Sequence, residues 1–159
     1  MKIIIRPYED KDAQMVLEVH RDAVHNTAAK DYEKIILDEW SKPVDEDRLR
    51  KFRTENSADV RVTAEIDGII VGFGELITNE NILGACYVSS AASGKGVGRA
   101  IISELEKIAV EKGLKYLSMD SSVTAASFYS SCGYSELERG EHKLRSGKRM
   151  ACVKMHKNL

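Results

Sequence analysis

The chain has 159 residues, 43% hydrophobic and 31% charged, with a net charge of −1 at pH 7. That length predicts a single domain over 1–159 with room for a real core, and the charge balance gives no bulk electrostatic case for nucleic acid or a membrane surface. Cys86, Cys132 and Cys152 form no C-x-x-C pair and no metal-ligand spacing with His20, His25, His142 or His156, so a metal-free protein with reduced thiols is expected.

In chain order, Lys2 to Arg6 reads as a short Ile-rich strand ended by Pro7. Asp10 or Asp12 can cap a helix that carries Ala13, Val16, Leu17, His20, Ala23 and Val24 on one face. His20 thus points with the apolar stripe and is read as a core histidine with a hydrogen-bond partner. Asp31 can cap a second helix with Tyr32, Ile35, Ile36 and Trp40 inward, stopped near Pro43. A third, from about Asp45 to Phe52, turns Leu49 and Phe52 inward. Asp38, Glu39, Asp45, Glu46 and Asp47 make this region acidic, either as a solvated helix face or as a rim that selects cations.

Val60 to Ile66 alternates as a half-buried strand, and Asp67-Gly68 signals a two-residue hairpin returning through Ile69 to Thr78. Ile82 to Val88 is a further strand. Behind it, Ile101, Ile102, Leu105, Ile108 and Ala109 fall at helical spacing, with Gly113 as the left-handed stop. Between strand and helix, Gly94, Gly96 and Gly98 let the backbone turn its N–H groups inward, and a helix N-terminus there favours a phosphate or pyrophosphate. The pattern fits neither G-x-x-x-x-G-K-[ST] nor G-x-G-x-x-G, since Ile101 stands where the third glycine of the latter belongs. Asp120 keeps a Rossmann-type nucleotide module as a weaker reading. Tyr116 to Met119 forms a strand ending at Asp120-Ser121-Ser122, Thr124 to Cys132 a short helix stopped by Gly133, and Tyr134 to His142 and Arg149 to His156 two strands around Ser146-Gly147.

The stretch Ser93-Gly94-Lys95-Gly96-Val97-Gly98-Arg99 resembles the coenzyme A loop of the GNAT superfamily, [QR]-x-x-G-x-[GA], with Ser93 where Gln or Arg is usual. A second motif of that family, N-x-x-A-x-x-[FL]-Y-x-x-x-G-[FY], is matched in its latter part by Phe128-Tyr129 and Gly133-Tyr134, with Ser122 at the Asn position and Thr124-Ala125 as small residues. The element order agrees along essentially the whole chain. Asp120-Ser-Ser and Lys30-Asp31-Tyr32…Trp40 also look like a bacterial GNAT subgroup of unassigned acceptors.

The resemblance implies an α/β (α+β) fold: a GNAT-like mixed, partly antiparallel, splayed sheet flanked by helices. It also implies an acetyl-CoA-dependent N-acetyltransferase acting on a primary amine, from a small molecule or from a protein or peptide. The cofactor arm would pair with the edge at Tyr87 and Val88. The pyrophosphate would sit on the amides of Ser93, Gly94, Lys95, Gly96, Val97, Gly98 and Arg99, with Ser122 and Phe128 beside the arm. The Val88 N–H would face the thioester carbonyl, and Tyr129 would protonate the departing thiolate. Many relatives carry a carboxylate base on the strand before the loop. Ile82 to Val88 has none, which leaves Glu75 and Asp120 as candidates. Cys86 is read as a buried strand cysteine, not an acyl-enzyme nucleophile. Ser93, Ser122 and the missing strand carboxylate motivate the alternative of a catalytically degenerate domain that binds CoA as a sensor or scaffold. No secretory or membrane-length apolar run is seen, so a cytoplasmic protein is expected, with a homodimer as an allowed assembly and neither nucleic acid nor membrane as partner.

Overall fold

The computed structural model describes residues 1–159. Strands β1 (Ile3–Pro7), β2 (Val60–Ile66), β3 (Ile69–Ile77), β4 (Ile82–Val88), β5 (Tyr116–Ser122), β6 (Ser135–Lys143) and β7 (Arg149–Asn158) form one sheet in the order β1-β2-β3-β4-β5-β7-β6. All neighbours are antiparallel except β4 and β5. At the Asp67-Gly68 turn both residues have positive φ, 52° and 78°, as a primed two-residue hairpin requires.

Helix α4 (Val97–Glu111) crosses one face and buries Ile101, Ile102, Leu105 and Ala109 at 2% exposure or less. It approaches the sheet this closely because β3 presents glycine there. A Cβ at Gly74 would stand 2.5 Å from Ile101 and 2.8 Å from Leu105. The short α5 (Ala126–Ser131) lies on the same side, with Tyr129 and Ala126 in the same core as Leu117, Met119, Val153 and Met155. On the opposite face, α1 (Ala13–Asp22) sets Val16 and Val19 against Phe73 and Ala85, and α3 (Glu46–Thr54) adds Leu49 against Ala13 and Leu17. In chain order α2 (Lys34–Trp40) comes between them.

The helical segment departs from the sequence reading in three places. Residues Asp10–Asp12 form a 3-10 turn, not the start of α1, and the Asp12 carboxylate accepts from the Glu9 N–H (2.8 Å) and from Arg6 (2.8 and 2.9 Å). After α1 the chain widens into a π-turn, Ala23–Thr27, which periodicity alone does not announce. Asp31 caps no helix, because α2 begins at Lys34 behind Glu33; its carboxylate accepts from the Thr124 hydroxyl at 2.7 Å instead. Ile35 is consequently turned outward, 54% exposed, and Leu37 takes the inward place. Helix α3 matches expectation, with the Asp45 carboxylate accepting from the Arg48 N–H at 2.8 Å. No helix is long and apolar enough to cross a membrane.

Candidate active site

Strands β4 and β5 pair at one point only, Ile82 with Ser118, and diverge beyond it. On its other side β4 stays in register with β3. The Ser89 N–H donates to the Val71 carbonyl at 2.8 Å, so the two-residue alternation of an antiparallel ladder turns Tyr87 and Ala85 toward β3 and leaves the backbone groups of Val88 and Cys86 facing the gap. A cleft of about 1000 Å³ opens there. Its lining includes β4, the Ser93 to Arg99 turn, the end of β5 and Tyr129.

The turn after β4 gathers unpaired backbone donors at one place. Gly94 and Gly96 sit at φ 76° and 86°, and a Cβ on either would meet nothing within 4 Å. None of the backbone N–H groups from Gly94 to Arg99 finds an acceptor in the protein; the first amide to be satisfied is that of Ala100, bonded to the Gly96 carbonyl at 3.0 Å. These donors converge at the N-terminus of a fifteen-residue helix, where the partial positive charge of the dipole adds to them. Gly98 is glycine for a different reason: a Cβ would lie 2.9 Å from the Phe128 ring. Arg99 is tied to the end of α5 through the Ser131 carbonyl and hydroxyl at 3.3 and 3.1 Å. Lys95 does not line the cleft, whereas Ser93 does.

Tyr129 is 6% exposed and lines the cleft. Its hydroxyl makes no hydrogen bond within the protein yet is not sealed off from that space. Burial raises its pKa well above the usual tyrosine value, so it holds its proton at neutral pH. Ser122 accepts the Ala125 N–H at 3.1 Å and starts the turn into α5. Burial also pushes the Cys86 thiol up to about 12, and its sulfur reaches only the Gly98 carbonyl at 3.9 Å. A thiol that stays protonated is a poor nucleophile.

The two carboxylates differ in placement. Asp120 lines the cleft from β5. Glu75 does not: Arg61 at 2.9 Å and Asn56 at 2.8 Å hold its carboxylate beneath the α1 face, where burial raises its pKa. Arg61 is itself stacked between Tyr8 and Phe52, 3.9 Å from each ring centre.

The wall opposite comes from the helical segment, through Ala23, Thr27, Ala28, Lys30 and Trp40. Tyr87 stacks on Phe73 at 5.5 Å and meets His20 at 4.5 Å, and this enclosure pushes its phenol up to about 12. His20 has the partner expected of it. Its Nδ1 lies 2.8 Å from the Ser41 hydroxyl and 3.1 Å from Arg48. Arg48 can only donate, so Nδ1 accepts and the network assigns the proton to Nε2. Burial and the Arg48 charge depress the His20 pKa to about 3. The acidic residues expected either as a solvated face or as a cation-selecting rim do not line the cleft: Asp38 pairs with Lys34, Asp47 with Arg50 and Lys51, Asp45 caps α3, and Glu39 binds Ser146. Sequence reasoning did not single out Thr27, Leu137, His142 or Lys154 as lining residues. Leu137, His142 and Lys154 come from β6 and β7, which extend the sheet beyond β5, while Thr27 comes from the π-turn after α1.

Residues 22–159 match a family model described as an acetyltransferase (GNAT) domain. No curated protein matches the sequence. Among solved structures, the GCN5-related N-acetyltransferase from Rhodopseudomonas palustris is 26% identical, with a TM-score of 0.89 over 100% of this chain and 97% of that one. PaiA N-acetyltransferase from Thermoplasma acidophilum, solved in complex with coenzyme A, is 21% identical, with a TM-score of 0.74 and 100% of both chains covered. The GNAT superfamily phosphinothricin acetyltransferase from Sinorhizobium meliloti, in complex with AcCoA, is 19% identical, with a TM-score of 0.74 over 100% of this chain and 89% of that one. The last two likenesses speak for the fold alone. The family match spans most of the chain and includes both the splayed strands and the amide-lined turn, and on that basis the chain belongs to the GNAT acetyltransferase family.

Proposed function

We propose that this chain is one acetyltransferase domain over 1–159 that moves an acetyl group from acetyl-CoA to a primary amine by direct attack. The observation that carries the reading is the run of acceptorless N–H groups from Gly94 to Arg99 beside the gap between β4 and β5. Those amides, with Ser93 at the start of the turn and Lys95 as an exposed point charge, bind the diphosphate. The free edge at Val88 and Cys86 takes the amide arm as an added strand, flanked by Ser122 and Phe128.

Acetyl-CoA supplies the activated thioester. The protein supplies position and protons. The Val88 N–H faces the gap and stabilises negative charge developing on the acyl oxygen. Asp120, the carboxylate within the cleft, takes the proton lost by the amine, directly or through water, as the new C–N bond forms. Tyr129 gives its proton to the sulfur as the C–S bond breaks. Glu75, the other candidate base, acts from behind the cleft by fixing Arg61 and the aromatic layer under Tyr87. Placing the protein in the cytoplasm belongs to the same reading, and a homodimer remains compatible with it.

A second reading, a degenerate domain that senses CoA, is favoured by the absence of any carboxylate on β4 and by the engagement of Glu75 with Arg61. Calorimetry with acetyl-CoA together with thiol release across an amine panel separates the two. Amine-dependent release of free CoA is expected. Binding of acetyl-CoA without release on any amine would leave only the sensor.

A further inference from the structure

A second, smaller cavity of about 240 Å³ adjoins the cleft, sharing Trp40 and His142 with it. Its lining is charged. Glu39 stands at the end of α2, Lys42 just beyond it, and Lys143 and Arg145 at the tip of the β6–β7 hairpin. The one carboxylate is already engaged, because both Glu39 oxygens accept from Ser146, the N–H at 2.7 Å and the hydroxyl at 2.5 Å. Lys42, Lys143 and Arg145 make no close ion pair with any carboxylate, although Lys42 acts on Glu39 at longer range. Arg21 and Arg48 also make no close ion pair: Arg21 donates to the Ser41 carbonyl at 2.6 Å, and Arg48 to the Lys42 carbonyl, with Asp38 and Asp45 acting on them only at longer range. The cleft itself is lined by Lys30 and Lys154 as well as Asp120, and Lys154 is only loosely paired with Glu138, at 3.6 Å. Cations left without partners around a concavity raise its local potential and draw in an anion.

We propose that the acceptor is an amine bearing a carboxylate, whose anionic end is held by Lys42, Lys143 and Arg145 in the side cavity while its amine reaches the cleft past Trp40. The inference rests on the acetyl-transfer reading above and names its substrate class. It reverses the preference for cationic amines that the acidic helices would suggest, since none of those acids lines the cleft and Glu39, the one that lines the side cavity, is bound to Ser146.

The test compares β-alanine, γ-aminobutyrate and δ-aminovalerate with their carboxamides at matched ionic strength, and phosphoethanolamine with ethanolamine to separate carboxylate from phosphate. The carboxylates are expected to have at least tenfold higher kcat/KM than their amides, with phosphoethanolamine no better than ethanolamine. The Lys42→Ala, Lys143→Ala, Arg145→Ala triple variant, altered only at exposed positions, should lose that ratio. Equal or better turnover of the amides, a higher preference for phosphate, or a ratio that survives the triple variant would overturn the proposal.

A second arm needs no turnover. Trp40 is the only tryptophan, so its fluorescence reports entry to the cavity. N-acetyl-γ-aminobutyrate should quench or shift it in the wild type and not in the triple variant, while its carboxamide should do neither. If no amine is acetylated, the transfer reading fails by itself and this arm still decides the anion site: equal responses to acid and amide would sink it.

Discussion

Placing a negative charge at Gly96 tests the anion site most directly. Gly96 lies at φ 86°, and a Cβ there would touch nothing within 4 Å, so Gly96→Asp destabilises through the left-handed backbone alone. For an L-residue that is roughly 1–2 kcal/mol, less for Asn and Asp, which visit this region more readily. Binding should suffer more. A carboxylate about 4 Å from one diphosphate charge is repelled by roughly 1 kcal/mol at the dielectric constant of water and by about 4 kcal/mol at an effective value near 20. The exposed loop sits between these limits, and the diphosphate carries more than one charge. A loss of at least about 1.4 kcal/mol, tenfold in acetyl-CoA Kd, is therefore expected. The neutral isostere Gly96→Asn carries similar backbone strain without the charge. Calorimetry with acetyl-CoA on both variants, with melting curves as a fold control, isolates the electrostatic part. Raising the ionic strength to roughly 1 M, where the screening length falls to about 3 Å, should close most of the gap between them. Equal Kd values for folded Asp and Asn variants would refute the phosphate site.

Tyr129→Phe keeps the ring and removes the proton, so kcat should fall about 10²-fold or more with acetyl-CoA Kd little changed; a variant keeping over half of kcat in pre-steady-state acetyl transfer would remove Tyr129 from the chemistry. Gly98→Ala pushes a methyl group to 2.9 Å from the Phe128 ring, and a loss of about 1–3 kcal/mol in urea unfolding is expected. Adding Phe128→Leu should recover part of that loss, and no recovery would mean the strain lies elsewhere. His20 titrates near 3 when folded against about 6.5 when unfolded, so between those values the unfolded chain binds the extra proton. The stabilisation is complete above pH ~6.5 and is lost as pH falls toward 3, at up to about 1.4 kcal/mol per pH unit. His20→Gln should flatten the stability profile between pH ~6 and ~4.5, and an unchanged slope there would assign the acid sensitivity to other groups.

The strand, turn and helix from Ile82 to Glu111 were legible because every local signal agreed: an apolar strand, alternate glycines, then helical spacing. The glycines also had distinct jobs that spacing alone does not separate. Gly94 and Gly96 meet a backbone requirement and Gly98 a contact with Phe128, thirty positions away. The helical segment was less legible, because its ends are set by partners distant in sequence. Asp31 reads as a cap until Thr124 is brought beside it, and Ile35 reads as inward until α2 starts two residues later than Asp31 implies. The base was the weakest point. Glu75 and Asp120 look equivalent in a sequence, and only Arg61, stacked between two rings, shows that one of them is engaged elsewhere.

The single pairing point between β4 and β5 divides the sheet into two ladders, β1 to β4 and β5 with β7 and β6, sharing one short seam near Ile82 and Ser118. What holds their far ends at a fixed separation is the helical segment, fastened to both sides. Asp22 accepts from the Ser90 N–H and hydroxyl, next to β4. Tyr32 donates to the Ala151 carbonyl on β7 and accepts from the Val123 N–H, and Asp31 and Glu39 grip Thr124 and Ser146. The segment therefore works as a tie beam across a wedge hinged at Ile82. Width at the mouth is set by these side-chain bonds and not by pairing between β4 and β5, so a shortened Asp22 or Tyr32 would change how far the wedge opens with every ladder hydrogen bond left in place.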